Sequence, residues 1–481
     1  MTFLPLPVPE TVLAILTFLT LIVGAFAGPA RSFGYTRWMG ALSLLGVSVF
    51  LMIPIGAGHT VPDFGFIQAF GPALPGLMGH LYMLALPIIL IGLAFALMMS
   101  GRSLRADHIA RFEYPVLVML IGLGLMVMMA ARDFLLLYVG IELVALSSYV
   151  LAAFRRDDAV SAEAGLKYFI LGALSSGLLL FGISLIYGFT GSLVYTDIMM
   201  SLVDMAPASS MRMGVVLGMA FVMAGFAFKL SAVPFHMWTP DVYQGAPAAV
   251  TALFAMVPKI AIVFVLYTLC THVFEPISGD VAQIVGFLCF ASMIWGAFGA
   301  IVQTSMRRLL AYGTIGNVGY ALLAILAGLH GPEGLGATAV LYMMTYMVMT
   351  AGTFSVLLAL RQNGVMIDRI ADLSGLSKQH PAMAYTLMVM MFSMAGIPPF
   401  IGFASKFLVF YTAVHAGYFV LAVIGVLTSV VAAFYYINVI RVMFFEEPKG
   451  KITIDMGRGQ TFVLLFALLL TIFPLCLFVV L

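Results

Sequence analysis

Residues 229–247 read KLSAVPFHMWTPDVYQGAP and close the apolar run MGVVLGMAFVMAGFAF at 213–228. A proline inside a helix removes a hydrogen bond and clashes with the carbonyl four residues back, so Pro234 and Pro240 predict a break in any helix that enters at 213. A second stretch, AGIPPFIGFASK at 395–406, repeats the pattern with Pro398 and Pro399, this time with the lysine after the break. Irregular backbone at membrane depth is tolerated only where it is buried in protein or lines a water-filled cavity. The rest of the chain decides whether these breaks lie at that depth.

Of the 481 residues 63% are hydrophobic and 9% charged, against about 45–50% and about 25% in soluble domains. About 20 apolar residues cross a bilayer core, and long apolar runs recur without a polar domain between them. Breaks at charged or Gly/Pro clusters predict fourteen spans, from 9–28 to 460–480, among them 133–154, 160–188, 213–238, 246–271 and 308–329. The span 381–415 is too long for one straight crossing. The N-terminus, MTFLPLPVPETVLAIL, has neither a basic n-region nor an A-x-A site and is read as part of the first span. Sixteen Lys and Arg residues, including Arg102, Arg105, Arg155, Arg307, Arg308, Arg361 and Arg441, fall in loops on one side, and only Arg132 and Arg212 on the other. The positive-inside rule puts the sixteen in the cytoplasm and both termini in the periplasm.

A net charge of +2, dispersed, argues against nucleic acid as a partner. Cys270, Cys289 and Cys476 lack the spacing of a metal, cluster or disulfide framework, and no dinucleotide or P-loop motif occurs. The chain is therefore expected to carry no cofactor or metal. The Met-rich runs and His80 read as packing or lipid-facing side chains.

Four basic residues remain outside the loops: Lys167, Lys229, Lys259 and Lys406. Glu142 is the acid well inside a span. A charge at the bilayer centre costs at least about 2.5–3.5 kcal/mol, so it normally faces protein or water and marks an ion path. Each has a plainer reading. Lys167 could snorkel to the headgroups, Lys229 and Lys406 could be structural ion pairs, and Glu142 could be a counter-ion. Lys259 is beyond snorkelling reach, and Pro258 frees the Phe254 carbonyl beside it. His236, in the first break, could exchange protons near neutral pH or simply pack.

Two broken spans five apart suggest inverted repeats, because an odd offset turns the second unit over. The expected organisation is all-α and polytopic: helices 1–3 in 1–109, one repeat in 110–271 (helices 4–8), an inverted repeat in 272–445 (helices 9–13), and a loop with helix 14 in 446–481.

The stretches GLKYFILGALSSG (165–177), FKLSAVPFHMWTPDVYQGAP (228–247), AMVPKIA (255–261), RRLLAYGTIGNVGY (307–320) and FSMAGIPPFIGFASKF (392–407) resemble the antiporter-like membrane subunits of proton-pumping NADH-quinone oxidoreductase, respiratory complex I. Within that family the chain is most similar to the subunit N (subunit 2) class. It stops after span 14, without the long lateral helix of subunit L, and has Lys406 where subunit M carries an acid. The resemblance implies a proton channel in which Glu142 pairs with Lys229, Lys259 is the central relay, Lys406 faces the exit and Lys167 modulates. It also implies a bacterial inner membrane, neighbours of the subunit M and K classes, and FMN, iron-sulfur clusters and quinone in other subunits. Moving a proton against about 150 mV needs roughly 3.5 kcal/mol, which switching one buried ion pair can supply. A subunit of an Mrp-type cation/proton antiporter is the nearest rival reading, and an inert scaffold the other.

Overall fold

The computed structural model describes residues 8–52, 77–207, 209–330 and 335–473. Twelve helices among them are long and apolar enough to cross a membrane. In chain order the first are α1 (Val8–Phe26), α2 (Pro29–Met52), α3 (Leu77–Ala106), α4 (Glu113–Ala130), α5 (Phe134–Ala152) and α6 (Ala159–Thr190). A short amphipathic helix, α7 (Tyr195–Asp204), then leads to α8 (Ser210–Leu230) and α9 (Trp238–Gly245). The remaining helices of more than four residues are α10 (Ala248–Met256), α11 (Pro258–Thr268), α12 (Ser278–Ile301), α13 (Met306–His330), α14 (Ala337–Leu357), α15 (Pro381–Ala395), α16 (Ile401–His415), α17 (Phe419–Phe445) and α18 (Arg458–Ile472).

Each expected span overlaps helices among the described residues, with three differences of detail, the first being that the span expected at 246–271 is interrupted at Pro258 between α10 and α11. The span expected at 213–238 ends eight residues early: α8 stops at Leu230, Ser231 takes a left-handed backbone (φ 68), and α9 begins at Trp238. Pro240 does not break a helix; it sits in the first turn of α9, where the missing N–H is not needed. The span expected at 381–415 is two helices, α15 and α16, separated at Gly396 (φ 87) and the proline pair. The last expected span is represented by α18, and its end, with Cys476, lies outside the described residues. The His80 side chain also lies outside them.

Helices α10 to α11, α13 and α14 form the centre of the bundle, with α5, α6, α12 and α17 towards its outside. The outer helices show apolar rows such as Leu135, Val139, Leu146 and Val150 on α5, the expected face of a helix in lipid or against another apolar helix. At the arginine-rich end a small antiparallel sheet, β1 (Leu360–Gln362), β2 (Val365–Met366) and β3 (Ile452–Ile454), runs in the order β2-β1-β3. There Asp107 pairs with Arg155 (3.0 Å) and Arg361 (3.3 Å), tying α3 to the α5–α6 loop and to the sheet.

Close approach of α6 and α8 rests on two glycines. A methyl group on Gly182 would lie 2.6 Å from the Gly218 carbonyl oxygen, and one on Gly218 would lie 2.9 Å from that of Gly182. Both obstacles are backbone, which cannot swing away. Gly182→Ile should therefore cost about 1–3 kcal/mol through overpacking and lower the thermal stability of the assembled protein; unchanged stability would contradict this packing.

Candidate functional site

The last carbonyls of any helix lack intrahelical donors, and at membrane depth water is not at hand to supply them. Both broken helices end in this condition. At the end of α8 the Lys259 ammonium donates to the Leu230 carbonyl (3.1 Å) and the Ser231 hydroxyl (3.0 Å), and the Trp238 indole donates to the Phe228 carbonyl (3.0 Å). At the end of α15 the Lys406 ammonium donates to the carbonyls of Met394 (2.9 Å) and Ala395 (3.3 Å) and to Ser429 Oγ (3.1 Å). Lys259 and Lys406 are only 2% and 4% exposed. A cation at a helix C-terminus also meets the negative end of the helix dipole.

Why the lysines reach these ends follows from local sequence. Pro258 cannot continue α10, so α11 starts there and places Lys259 in its first turn, against the end of α8. Gly396 accepts the left-handed backbone that closes α15; its Cα hydrogen faces the Lys406 side chain, where a methyl group would lie 3.0 Å from Cδ.

Lys229, in the last turn of α8, shares a cavity with Lys259. Its lining includes Ser148, Tyr168, Trp238 and Phe254, and its volume is about 40 Å³. One ordered water needs about 10–15 Å³, so the cavity can hold water. Lys229 Nζ lies 3.4 Å from both Tyr149 Oη and Ser176 Oγ, with the Tyr149 and Phe228 rings each 5.8 Å away. No ion pair within 4 Å joins Glu142 to Lys229; the Tyr149 phenol, two turns along α5 from Glu142, is the group that meets the ammonium. One Glu142 oxygen is buried without a hydrogen bond.

Two other expected residues stand apart from the cavity. Lys167 is not a buried charge: its side chain is 44% exposed and pairs with Glu163 (2.7 Å) and Asp241 (2.9 Å). It lies about two turns inside α6, close enough to the arginine-rich end for its flexible stem to reach that rim. His236, buried in the first break, sets its ring edge-on to Trp295 (5.8 Å) and is absent from the cavity lining. The structure thus brings together Lys229 and Lys259, sets Lys406 at the second break, and separates Lys167 and His236.

Sequence reasoning passed over Tyr149, Ser176, Ser231 and Ser429, whose hydroxyls receive the lysines; nothing in their spacing marks them. It also passed over Asp241, which lies in the stretch that opened the reading. Asp241 pairs with Arg308 (2.8 Å) as well as Lys167, clamping α9 between α6 and α13. Partial burial pushes the Asp241 carboxyl up, but the hydrogen-bonded cations Lys167 and Arg308 outweigh it and hold the group below the usual carboxylate range. Among the described residues no group of three or more His, Cys, Asp or Glu is placed to hold a metal.

A depressed carboxylate contributes stability above its unfolded value, near about 4, and loses it as pH falls through the folded value. Asp241→Asn should therefore lower thermal stability by about 1 kcal/mol or less, as half-exposed pairs do. The deficit should stay flat between about pH 6 and about pH 8; a deficit that closes inside that window would contradict the ion-pair assignment.

Residues 131–432 match the family described as NADH:quinone oxidoreductase/Mrp antiporter, TM. The chain is 45% identical, over 92% of its length and 88% of the relative's, to a Methylobacterium nodulans protein named NADH-quinone oxidoreductase subunit N. It is similar to a chain in respiratory complex I from Thermus thermophilus with bound aureothin, with a TM-score of 0.76, 27% identity and 97% of each chain covered. A chain of the Mrp complex from Dietzia sp. shares the fold, with a TM-score of 0.74 at 24% identity over 96% of this chain and 84% of that one.

Proposed function

We propose, on the premise that this chain belongs to the NADH-quinone oxidoreductase subunit N family, a proton relay through Lys229, Lys259 and Lys406. The chain is a multi-pass, proton-translocating membrane subunit of complex I, and its partners are other membrane subunits of that complex. In our reading those neighbours are of the subunit M and K classes, with FMN, iron-sulfur clusters and quinone in other subunits. The membrane is the bacterial inner membrane, crossed fourteen times, with the arginine-rich face in the cytoplasm and both termini in the periplasm. Residues 110–271 and 272–445 form the two inverted repeats.

The observation that carries the relay is the shared form of the two breaks: each helix ends at a left-handed residue and a buried lysine ammonium donates to its terminal carbonyls. A lysine so placed can give up its proton and still be held by the same polar groups through water. Lys229 and Lys259 are joined by a cavity with room for such waters. Glu142 acts on Lys229 through the field and through Tyr149, without a direct bond. When Glu142 is near and ionised it favours the charged lysine, and when its influence is withdrawn desolvation favours the neutral one. Protons pass from Lys229 through water to Lys259 and on to Lys406, which faces the exit. Lys167 modulates at the rim through Asp241, and His236 is a further, separate proton-exchanging candidate in the break.

The test is Glu142→Gln and Lys229→Ala in membrane vesicles, with assembly of the complex verified. NADH-driven acidification should fall in both, and Tyr149→Phe should fall between them and the parent. Full pumping by an assembled Lys229→Ala protein would sink the relay. Sodium/proton exchange by this chain without redox input would favour the Mrp-type reading instead.

A further inference from the structure

Helices α2 and α3 carry arginines for which the relay has no use. We propose that their arginine-rich ends form a binding site for one anionic phospholipid, its phosphate held by Arg31 and Arg105 and an acyl chain laid along α2. The proposal goes beyond the relay and shares with it only the membrane-spanning reading of these helices.

The two helices meet there through two glycines, and each glycine carries the other helix's arginine. A methyl group on Gly101 of α3 would lie 2.6 Å from Arg37 Nη1, and one on Gly34 of α2 would lie 3.5 Å from Arg105 Nη2. Gly34 and Arg37 are three residues apart and Gly101 and Arg105 four, so each pair shares one face of its helix. The two guanidinium groups therefore cross the same seam in opposite directions, and their like charges act on each other.

Such a pair is stabilised by an anion, and the protein does not supply one. Among the described residues Arg31, Arg37, Arg105 and Arg111 make no ion pair within 4 Å. Of the acids at this end, Asp107 pairs with Arg155 and Arg361, and Asp455 with Arg102. Glu113, the first residue of α4, has one oxygen buried without a hydrogen bond. Arg37 is held in place: it donates to the Met98 carbonyl (3.3 Å) and lies 4.8 Å from the centre of the Trp38 ring, while its Nε is buried without a partner. Arg105 lies 5.8 Å from the Phe33 ring. Both Arg105 and Arg31 are exposed, which leaves their N–H groups open to a ligand, and paired guanidinium donors match the oxygens of a phosphate.

The surface beside these charges is ordered like a lipid. Arg31, Tyr35, Trp38, Leu42 and Val49 are exposed and fall at i, i+4, i+7, i+11 and i+18, one stripe of α2. From the arginine-rich end inward the order is a cation, two amphipathic aromatics and two aliphatics. Tyr and Trp favour the headgroup level. At 1.5 Å per residue Leu42 lies about 17 Å from Arg31, within one leaflet of a bilayer about 40–45 Å thick. An acidic protein loop would meet the same cations, but it would carry unpaired backbone groups into hydrocarbon depth. A phosphodiester with an acyl chain suits both parts. A zwitterionic headgroup brings a cation of its own to the arginines, and an anionic one brings none.

The experiment is photo-labelling of the assembled complex in liposomes that contain phosphatidylglycerol or, separately, phosphatidylcholine with a diazirine in one acyl chain. Adducts are mapped by mass spectrometry. The expected result is labelling of residues 35–49 by the phosphatidylglycerol probe and little by the phosphatidylcholine probe. Each arginine near an anionic lipid contributes roughly fivefold in affinity, so the double variant Arg31→Gln/Arg105→Gln should need on the order of 25 times more phosphatidylglycerol for half-labelling. Arg441→Gln, an equal loss of charge at another exposed position, should label as the parent does, and Arg31→Lys/Arg105→Lys should lie nearer the parent than the glutamine pair. Equal labelling of the parent by both probes would overturn the proposal whatever the variants do. Unchanged labelling in the assembled glutamine pair would overturn the assignment to Arg31 and Arg105. Absence of adducts on α2 would overturn the lipid site and make this face a contact with another subunit. Pumping through Lys229, Lys259 and Lys406 is read by a separate assay, so each of these failures leaves the relay standing.

Discussion

A helix that stops inside a membrane leaves carbonyl oxygens that must find donors, and the two buried lysines are those donors. The magnitudes make the arrangement possible. Placing a lysine at the bilayer centre costs at least about 2.5–3.5 kcal/mol, while a hydrogen bond to a charged group contributes about 1.5–3 kcal/mol. Lys406 makes three such contacts and Lys259 two, so the cost and the gain are of the same order. A near-balance of this kind holds a cation in place without fixing its proton there.

The rest of the bundle preserves that balance. Pro258 and Gly396 bring each lysine to its helix end, and the buried core of α10, α11, α13 and α14 excludes lipid and bulk water from both. The ion pairs of Asp241 with Lys167 and Arg308 hold α9, the second half of the first broken helix, to its neighbours at the arginine-rich end. Polar chemistry inside is supplied mainly by hydroxyls, which accept from an ammonium and can donate once it is neutral, without adding charge to a low-dielectric interior.

The fold was legible because its determinants are local and coarse: apolar run length, the bias of Lys and Arg between loops, and prolines 234, 398 and 399 inside apolar runs. The buried lysines were legible for a related reason, since so few charges are left once the loops are assigned. Pairings were not. A span of 160–188 contains Lys167, but only side-chain direction shows that it turns to the rim. Glu142 and Lys229 look like partners by charge, yet Tyr149 stands at the ammonium. The serines that receive Lys259 and Lys406 resemble the many other small polar residues packed between these helices, and only tertiary contact distinguishes them.

The central claim is that a proton crosses by way of the lysine at the end of the first broken helix. It is tested most directly by the proton-to-electron ratio of the assembled complex carrying Lys259→Met, a substitution that keeps an unbranched side chain one atom shorter and removes its proton site. The account expects the ratio to fall. A ratio equal to the parent's, with Lys259→Met verified in the assembled complex, would contradict it.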